Sequence, residues 1–248
     1  MNSRPPANTY GLDSAKLPKH VAVIMDGNGR WAKKRKLSRI TGHNKGTDAV
    51  RSVVRTCREL GISFLTLYAF STENWGRPAE EVNALMELLK RFLRSEEKEL
   101  LENDIRLNHI GDIERLPADV RAELERVMKR TLKNDTMVLT LAVSYGGRSD
   151  IAGAVRRIAG EVFRQTIQPD DISEELISDY LYTRSMPDPD LVIRTSGESR
   201  ISNFLLWQIA YSEIAITKTL WPDFSKEEFI QILLEYQNRE RRFGKVSS

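Results

Sequence analysis

The chain has 248 residues, 40% apolar and 29% charged, with 38 Lys and Arg against 35 Asp and Glu for a formal charge of +3. That balance excludes a disordered polyelectrolyte and a fibrous repeat, and the length suits one large α/β domain or two small ones. The single cysteine, Cys57, excludes an internal disulfide and a cysteine-based zinc cage, and the histidines at 20, 43 and 109 are too scattered for a histidine-rich metal site.

Residues 1–16 carry Pro5-Pro6 and no apolar h-region, so they read as a flexible leader on a cytoplasmic protein rather than a secretory signal. A short buried-type strand, Val21 to Met25, stops at Asp26-Gly27-Asn28-Gly29, and a short helix can open at Arg30-Trp31. Val50, Val53, Val54, Cys57 and Leu60 fall at helical spacing, predicting a helix over 46–60 with Gly61 as its terminator and Cys57 on the core face. A second strand, Phe64 to Phe70, runs into Ser71-Thr72-Glu73-Asn74-Trp75-Gly76-Arg77. Pro78 then opens a long helix, with Glu80 and Glu81 in the first turn where acids suit the helix dipole. Val82, Leu85, Met86, Leu89, Phe92 and Leu93 form one wide stripe along it.

Strands are predicted over 105–110 and 137–143, the latter leading to Ser144-Tyr145-Gly146-Gly147-Arg148. Helices over 150–163 and 173–182 precede the strand Leu191-Val192-Ile193, which ends at Arg194-Thr195-Ser196-Gly197-Glu198. Residues 214–217 give a sixth strand and 226–236 a late helix. With no repeat and no linker, the alternation predicts a single domain over 17–248, a central and mostly parallel six-stranded sheet flanked by helices. Ligands bind such sheets beyond the carboxyl ends of the strands. Four strands release glycine-bearing polar loops there, after Met25, Phe70, Val143 and Ile193.

Those loops bring Asp26, Arg30, Ser71, Glu73, Arg77, Arg194, Glu198, Arg200 and Ser202 to one rim. Arginine forks match phosphate oxygens, serines add donors, and an aspartate among cations suits a Mg²⁺ shared with a diphosphate. Gly27-Asn28-Gly29 is either an anion-binding nest or an ordinary turn. The Gly27-x-Gly29-x-x-Ala32 pattern is no dinucleotide fingerprint, because Asp48 falls on the predicted helix rather than at a strand end, and no P-loop motif exists. Lys33-Lys34-Arg35-Lys36 reads as a solvated basic turn before it reads as a nucleic-acid or targeting patch, and 239–242 mixes signs. His43 is a cap-region residue or a phosphate contact; His109 is structural.

Several strings resemble the cis-prenyltransferase family, in its bacterial undecaprenyl diphosphate synthase branch. They are His20-Val-Ala-Val-Ile-Met-Asp-Gly-Asn-Gly-Arg-Trp-Ala32, Thr66-Leu-Tyr-Ala-Phe-Ser-Thr-Glu-Asn-Trp75, Tyr145-Gly-Gly-Arg148, Asp190-Leu-Val-Ile-Arg-Thr-Ser-Gly-Glu198 and Arg200-Ile-Ser-Asn-Phe-Leu-Leu-Trp-Gln208, with Leu220-Trp-Pro-Asp-Phe224 and Arg242-Phe-Gly244. They run in family order over nearly the whole chain. The resemblance implies condensation of isopentenyl diphosphate, in cis, onto an allylic diphosphate such as farnesyl diphosphate, giving a long product, undecaprenyl diphosphate for the cell-wall lipid carrier.

It further implies that Asp26 holds Mg²⁺ and helps the allylic diphosphate leave. Gly29, Arg30, Arg39 and His43, with Arg77, would cradle that diphosphate, and Arg194, Arg200 and Ser202 would clamp the isopentenyl one. Asn28, Ser71, Glu73, Trp75 and Glu198 match positions that orient substrate or assist proton loss, and Gly27, Trp31 and Phe70 join the substrate-binding set. Glu213 matches a magnesium-associated acid at a homodimer interface, and Arg242-Phe243-Gly244 a segment reaching the partner's site. The stripe from Val82 to Leu93 becomes the wall of a hydrophobic tunnel for the growing chain. Membrane contact is expected only loosely, at the inner face and through the product; no nucleic acid is expected.

Two departures stand out: Ser144 replaces a frequent Asn, and Ala215-Ile216 replaces a frequent aromatic pair. The competing readings are a non-catalytic partner subunit, which should have lost the acid and arginines, and a nucleic-acid binder built on 33–36, which leaves Asp26 and the segment 194–202 without a role.

Overall fold

The computed structural model describes residues 10–239. Six strands, β1 (His20–Ile24), β2 (Phe64–Ser71), β3 (Ile105–Ile110), β4 (Met137–Tyr145), β5 (Leu191–Arg194) and β6 (Glu213–Ile216), form one sheet in the order β3-β4-β2-β1-β5-β6. Every pairing is parallel, so the sheet is fully rather than mostly so. Every residue of β1, β4 and β5 is buried, the signature of strands covered on both faces. Around them lie α1 (Asn28–Lys34), α2 (Arg39–Leu60), α3 (Ala79–Glu102), α4 (Ala118–Thr131), α5 (Gly147–Phe163), α6 (Glu174–Tyr180) and α7 (Lys226–Gln237).

The larger core packs Val53 of α2, Leu93 of α3, Leu124 of α4 and Leu233 of α7 onto Val23, Leu67, Leu139 and Ile193. The opposite face carries a smaller cluster, in which Phe204, Leu205 and Ile209 cover Ala22, Ile24 and Val192. β1 is flanked by β2 on one side and β5 on the other, so chain progress along the sheet reverses there. This is the topological switch point, where an open parallel sheet leaves a crevice beyond its carboxyl edge.

Two helices depart from the sequence reading. α2 starts at Arg39, well before the predicted Gly46, because Ser38 caps it by accepting the Thr41 N–H at 3.2 Å. Gly42 looks like a helix breaker but is a packing device: a Cβ there would run into the Asn28 carbonyl and the Ala32 side chain, so only glycine lets α1 lie this close. α4 escaped prediction because only Val120, Leu124 and Val127 mark its buried stripe in a heavily charged stretch. The leader also needs correction over residues 10–16. Leu12 is buried in the core, Tyr10 donates to Glu59 at 2.8 Å, and Asp13 exchanges two hydrogen bonds with Gln237. No helix among the described residues is long and apolar enough to cross a membrane.

Candidate active site

The site is built outward from the end of β1. The Thr195 hydroxyl accepts from the Asp26 N–H at 3.0 Å and donates to its carbonyl at 2.7 Å, fixing the turn that presents the carboxylate. Gly27 follows at φ +108°, with Leu220 and Ser196 filling the space a side chain would need. Asp26 Oδ2 accepts from Arg194 Nη2 at 2.8 Å, and Oδ1 pairs with Arg30 Nη2 at 3.1 Å. The Arg194 guanidinium is buried; its Nη1 donates to Ser202 Oγ at 2.8 Å and to the Arg200 carbonyl, while its Nε has no partner. Arg30 continues to the Ser196 hydroxyl and to Glu198 at 2.7 Å, and Glu198 takes Arg200 on its other oxygen. Burial pushes the Asp26 carboxyl up, but the Arg194 and Arg30 guanidinium groups together outweigh it and hold the group below the usual carboxylate range. It is an anion at neutral pH.

A second cluster faces this one across α1. The Arg39 guanidinium lies over Gly29, its Nε 2.9 Å from where a Cβ would sit. Glu81, at the first turn of α3, takes Arg39 on one oxygen at 3.3 Å and Arg77 on the other at 3.0 Å. His43 is brought down to about 4 by burial and then by Arg77, with Glu81 opposing and Arg39 reinforcing, so its imidazole is neutral beside two guanidinium groups.

The third group is the turn after β2. Asn74 Oδ1 accepts the Ser71 N–H at 3.1 Å, and Glu73 accepts from Asn203 Nδ2 at 2.8 Å. Burial raises the Glu73 carboxyl, while Asn203, the turn backbone and the hydroxyls of Ser71 and Thr72 bring it below its ordinary value. Asn203, at φ +62°, also accepts from Arg148 N–H through Oδ1 at 2.9 Å and from Gly147 N–H through its carbonyl at 2.7 Å. One side chain thus ties together the loops leaving β2, β4 and β5.

These groups ring the mouth of a cavity of about 650 Å³. Asp26, Asn28, His43, Ser71, Glu73, Arg77, Arg194, Arg200 and Ser202 line its polar end; Val50, Leu67, Ala69, Phe70, Leu85, Met86, Leu89, Phe92 and Leu141 line the rest, between β2, α2 and α3. Asn28 Oδ1 is buried there without a hydrogen-bond partner. The stripe read from the α3 sequence is therefore divided: Leu85, Met86, Leu89 and Phe92 face the cavity, whereas Leu93 is sealed in the core.

The structure keeps some expected site residues apart. Trp31 points away from the cavity, its Nε1 donating to Asp223 at 2.7 Å under the Arg35 guanidinium. Trp75 packs edge-on behind Phe70 and donates to Ser144 Oγ at 3.0 Å, which gives the residue in the frequent Asn position a structural task. Glu213 starts β6 opposite Leu191, while Arg194 pairs with Ile216. That register sets Glu213 about 10 Å below the site along the sheet, where it pairs with Arg239 at 2.8 Å. Asp26 and Glu213 of one chain therefore do not share an ion, and no group of three or more His, Cys, Asp or Glu side chains among the described residues forms a metal cage. Arg242 and Gly244 lie outside the described residues. Sequence reasoning missed Glu81, seen only as a dipole-matched acid, and Asn203; both stood inside motif-rich stretches, but their partners come from distant elements.

A cationic, hydroxyl-bearing mouth on an apolar cavity, at the switch point of a parallel sheet, defines an enzyme site for a molecule with an anionic head and a greasy tail. The family model described as "Putative undecaprenyl diphosphate synthase" matches residues 24–244. The isoprenyl transferase of Chlorobaculum tepidum is 55% identical over 94% of this chain and 88% of its own, and that of Bacillus subtilis 50% identical over 93% and 88%. Among solved structures, lavandulyl diphosphate synthase from Lavandula x intermedia, in complex with dimethylallyl diphosphate, aligns with a TM-score of 0.91 at 39% identity over 93% of this chain and 100% of that one. A "probable undecaprenyl diphosphate synthase" from Campylobacter jejuni aligns at 0.77 and 38% identity, over 92% and 99%. The chain belongs to the undecaprenyl diphosphate synthase family of cis-prenyltransferases. It is a prenyltransferase that elongates prenyl chains.

Proposed function

We propose that this enzyme adds isopentenyl diphosphate units in cis to farnesyl diphosphate or another short allylic diphosphate, making a long polyprenyl diphosphate, undecaprenyl diphosphate for the cell-wall lipid carrier. The observation that carries this reading is the Asp26–Arg194–Arg30 constellation at the polar end of the apolar cavity. Gly29, Arg39, His43 and Arg77 cradle the allylic diphosphate, and Arg194, Arg200 and Ser202 clamp the isopentenyl diphosphate. Neutral His43 donates one hydrogen bond without adding charge, while the arginines supply it. Asp26 is bonded to Arg194 of the second group and to Arg30.

As the allylic C–O bond breaks, negative charge grows on the departing diphosphate and positive charge on the allyl group. Preorganised guanidinium groups stabilise the first, and the Asp26 carboxylate lies beside the second. The isopentenyl double bond then attacks, and a proton leaves the new chain, either to the released diphosphate or through Asn28 and Ser71. The unpartnered Oδ1 of Asn28 is free to accept a hydrogen bond at that point.

Asp26 fits Mg²⁺ in a particular way. Its two oxygens each spend one acceptor position on an arginine, leaving lone pairs with which Asp26 would hold the ion. Held there, the ion would supply positive charge to the departing diphosphate. In this reading the enzyme is a cytoplasmic homodimer, loosely held at the membrane's inner face by its product, with β6 at the interface. Ile214 and Ile216 are exposed on that edge strand, and Glu213 and the segment 242–244 serve the partner. The non-catalytic reading would require the acid and arginines to be missing, and all are present and paired.

The test is incubation of the full chain with farnesyl and isopentenyl diphosphates and Mg²⁺, reading product length by chromatography. Asp26→Ala should lower turnover about 100- to 1,000-fold while circular dichroism stays unchanged; near-normal incorporation of labelled isopentenyl units would refute the assignment.

A further inference from the structure

From Gly27 to Thr47 the chain carries seven Lys and Arg and no acid. Acids from elsewhere cover some of these cations: Asp26 and Glu198 meet Arg30, Asp223 meets Arg35, Glu81 meets Arg39, and Asp48 meets Lys45. Lys33, Lys34 and Lys36 form no ion pair among the described residues. They sit at the corner where α1 ends and α2 begins, in a run of nine consecutive exposed residues, 33–41. Two large apolar side chains share that run: Leu37 is 45% exposed and Ile40 41% exposed. Lys36, at φ +57°, makes the turn that brings them together.

We propose that this hairpin tip docks the enzyme on an anionic lipid surface. Three uncompensated ammonium groups supply the attraction, and Leu37 and Ile40 enter the boundary between headgroups and acyl chains. Each signal alone is weak, and the combination is what holds a peripheral protein on a bilayer. The apolar pair argues for lipid over nucleic acid. A phosphodiester backbone gains nothing from an exposed Leu and Ile, whereas a nucleic-acid groove would offer aromatic rings for stacking. The one aromatic ring near the tip, Trp31, is buried and bonded to Asp223. The tip lies beside the cavity mouth, since α1 starts at the Asp26 turn and Arg39, the first residue of α2, returns to cover Gly29. Docking is inferred from these side chains alone; its use in handing over a lipid product rests on the function proposed above.

The experiment is co-sedimentation of the full chain with vesicles of phosphatidylcholine alone or with about 30% phosphatidylglycerol, at roughly 0.05 and 0.5 M salt. Vesicles free of prenyl substrates keep attachment through a product out of the reading. Binding should require the anionic lipid and fall with salt. The Lys33→Gln, Lys34→Gln, Lys36→Gln triple variant should lose about tenfold or more in partition. Leu37→Ser with Ile40→Ser should weaken binding while leaving the salt dependence in place. Both variants should elongate prenyl chains in detergent as the unaltered enzyme does, which shows them folded.

Absence of binding to anionic vesicles, or partition unchanged in both variants, overturns the proposal. So does equally strong binding of generic single-stranded RNA that the triple variant loses and the Leu37, Ile40 variant keeps. Vesicle binding by a chain that fails to elongate would sink the proposed reaction and uphold the docking; elongation in detergent without vesicle binding would do the reverse.

Discussion

Asn203 shows how much a single uncharged side chain can hold. It spans Glu73 and Arg148, while its backbone carbonyl accepts from Gly147, and it follows directly on Ser202, the hydroxyl partner of Arg194. A hydrogen bond to a charged group is worth about 1.5–3 kcal/mol, so Asn203→Gly, which tolerates the positive φ, should lower kcat/KM for isopentenyl diphosphate roughly ten- to a hundredfold with the fold retained. Losing the Asn203 donor also raises the Glu73 carboxyl, so the acid limb of the pH–rate profile should move to higher pH. Steady-state kinetics across pH checks both; an unmoved acid limb would detach Glu73 from the rate. At this scale the sequence was legible where a residue stands at a strand end. Asp26 and Arg194 could be placed on one rim because β1 and β5 were recognisable as strands. Glu81 and Asn203 could not, since their tasks are defined by partners 42 and 130 residues away. Trp31 and Trp75 each belong to a motif beside the site, but the indole N–H needs an acceptor and finds one off the cavity lining, at Asp223 and Ser144.

Between elements, contact distance governs. Gly42→Ala would drive a methyl group into the Asn28 carbonyl, costing roughly 1–3 kcal/mol and displacing α1 with Asn28 and Arg30. Urea unfolding should report the loss and kinetics a parallel drop in turnover. His20 clamps three segments. The Pro187 carbonyl, 2.6 Å from Nδ1, can only accept, so Nδ1 carries the proton and Nε2 accepts from the Thr66 hydroxyl at 2.8 Å. Protonating Nε2 would break that pattern, and burial lowers the group from 6.5 to about 4 despite the Pro187 carbonyl and Asp190, which pull it upward. A depressed folded value means the unfolded chain binds more protons between pH 4 and 6.5. The stability His20 contributes is therefore complete above pH 6.5 and lost as pH falls toward 4, by at most about 3 kcal/mol. His43 adds to the slope with the same sign. Unfolding free energies across this window should fall with acid, and His20→Gln should flatten the curve. The helix boundaries that went unread, α2 and α4, share one cause: glycines and charges hide a buried stripe whose other half belongs to a neighbouring helix.

Over the whole molecule, the order of strands decides where chemistry happens and the gap between α2 and α3 decides what fits. The alternation of strands and helices was enough to foresee the sheet and its functional edge; the depth of the cavity was not, because a stripe such as that of α3 looks the same whether it meets a wall or a void. Filling the void should shorten the product. Ala69→Leu and Leu85→Trp both push into the cavity lining, and each should shift the chromatographic product distribution to shorter chains with initial addition rates less affected. Unchanged lengths in both variants would take the growing chain out of this cavity.

The pairing of Asp26 with Arg194 bridges 168 positions of sequence. On a ribosome adding about 5–20 residues per second, the nascent chain exposes its acid roughly ten to thirty seconds before the arginine that completes it has been synthesised. β1 and β5 are neighbours in the sheet, so the centre cannot close until that late strand docks, and a chain cut short before β5 is inert by construction. Competence for turnover is thus a report that synthesis has passed the fifth strand.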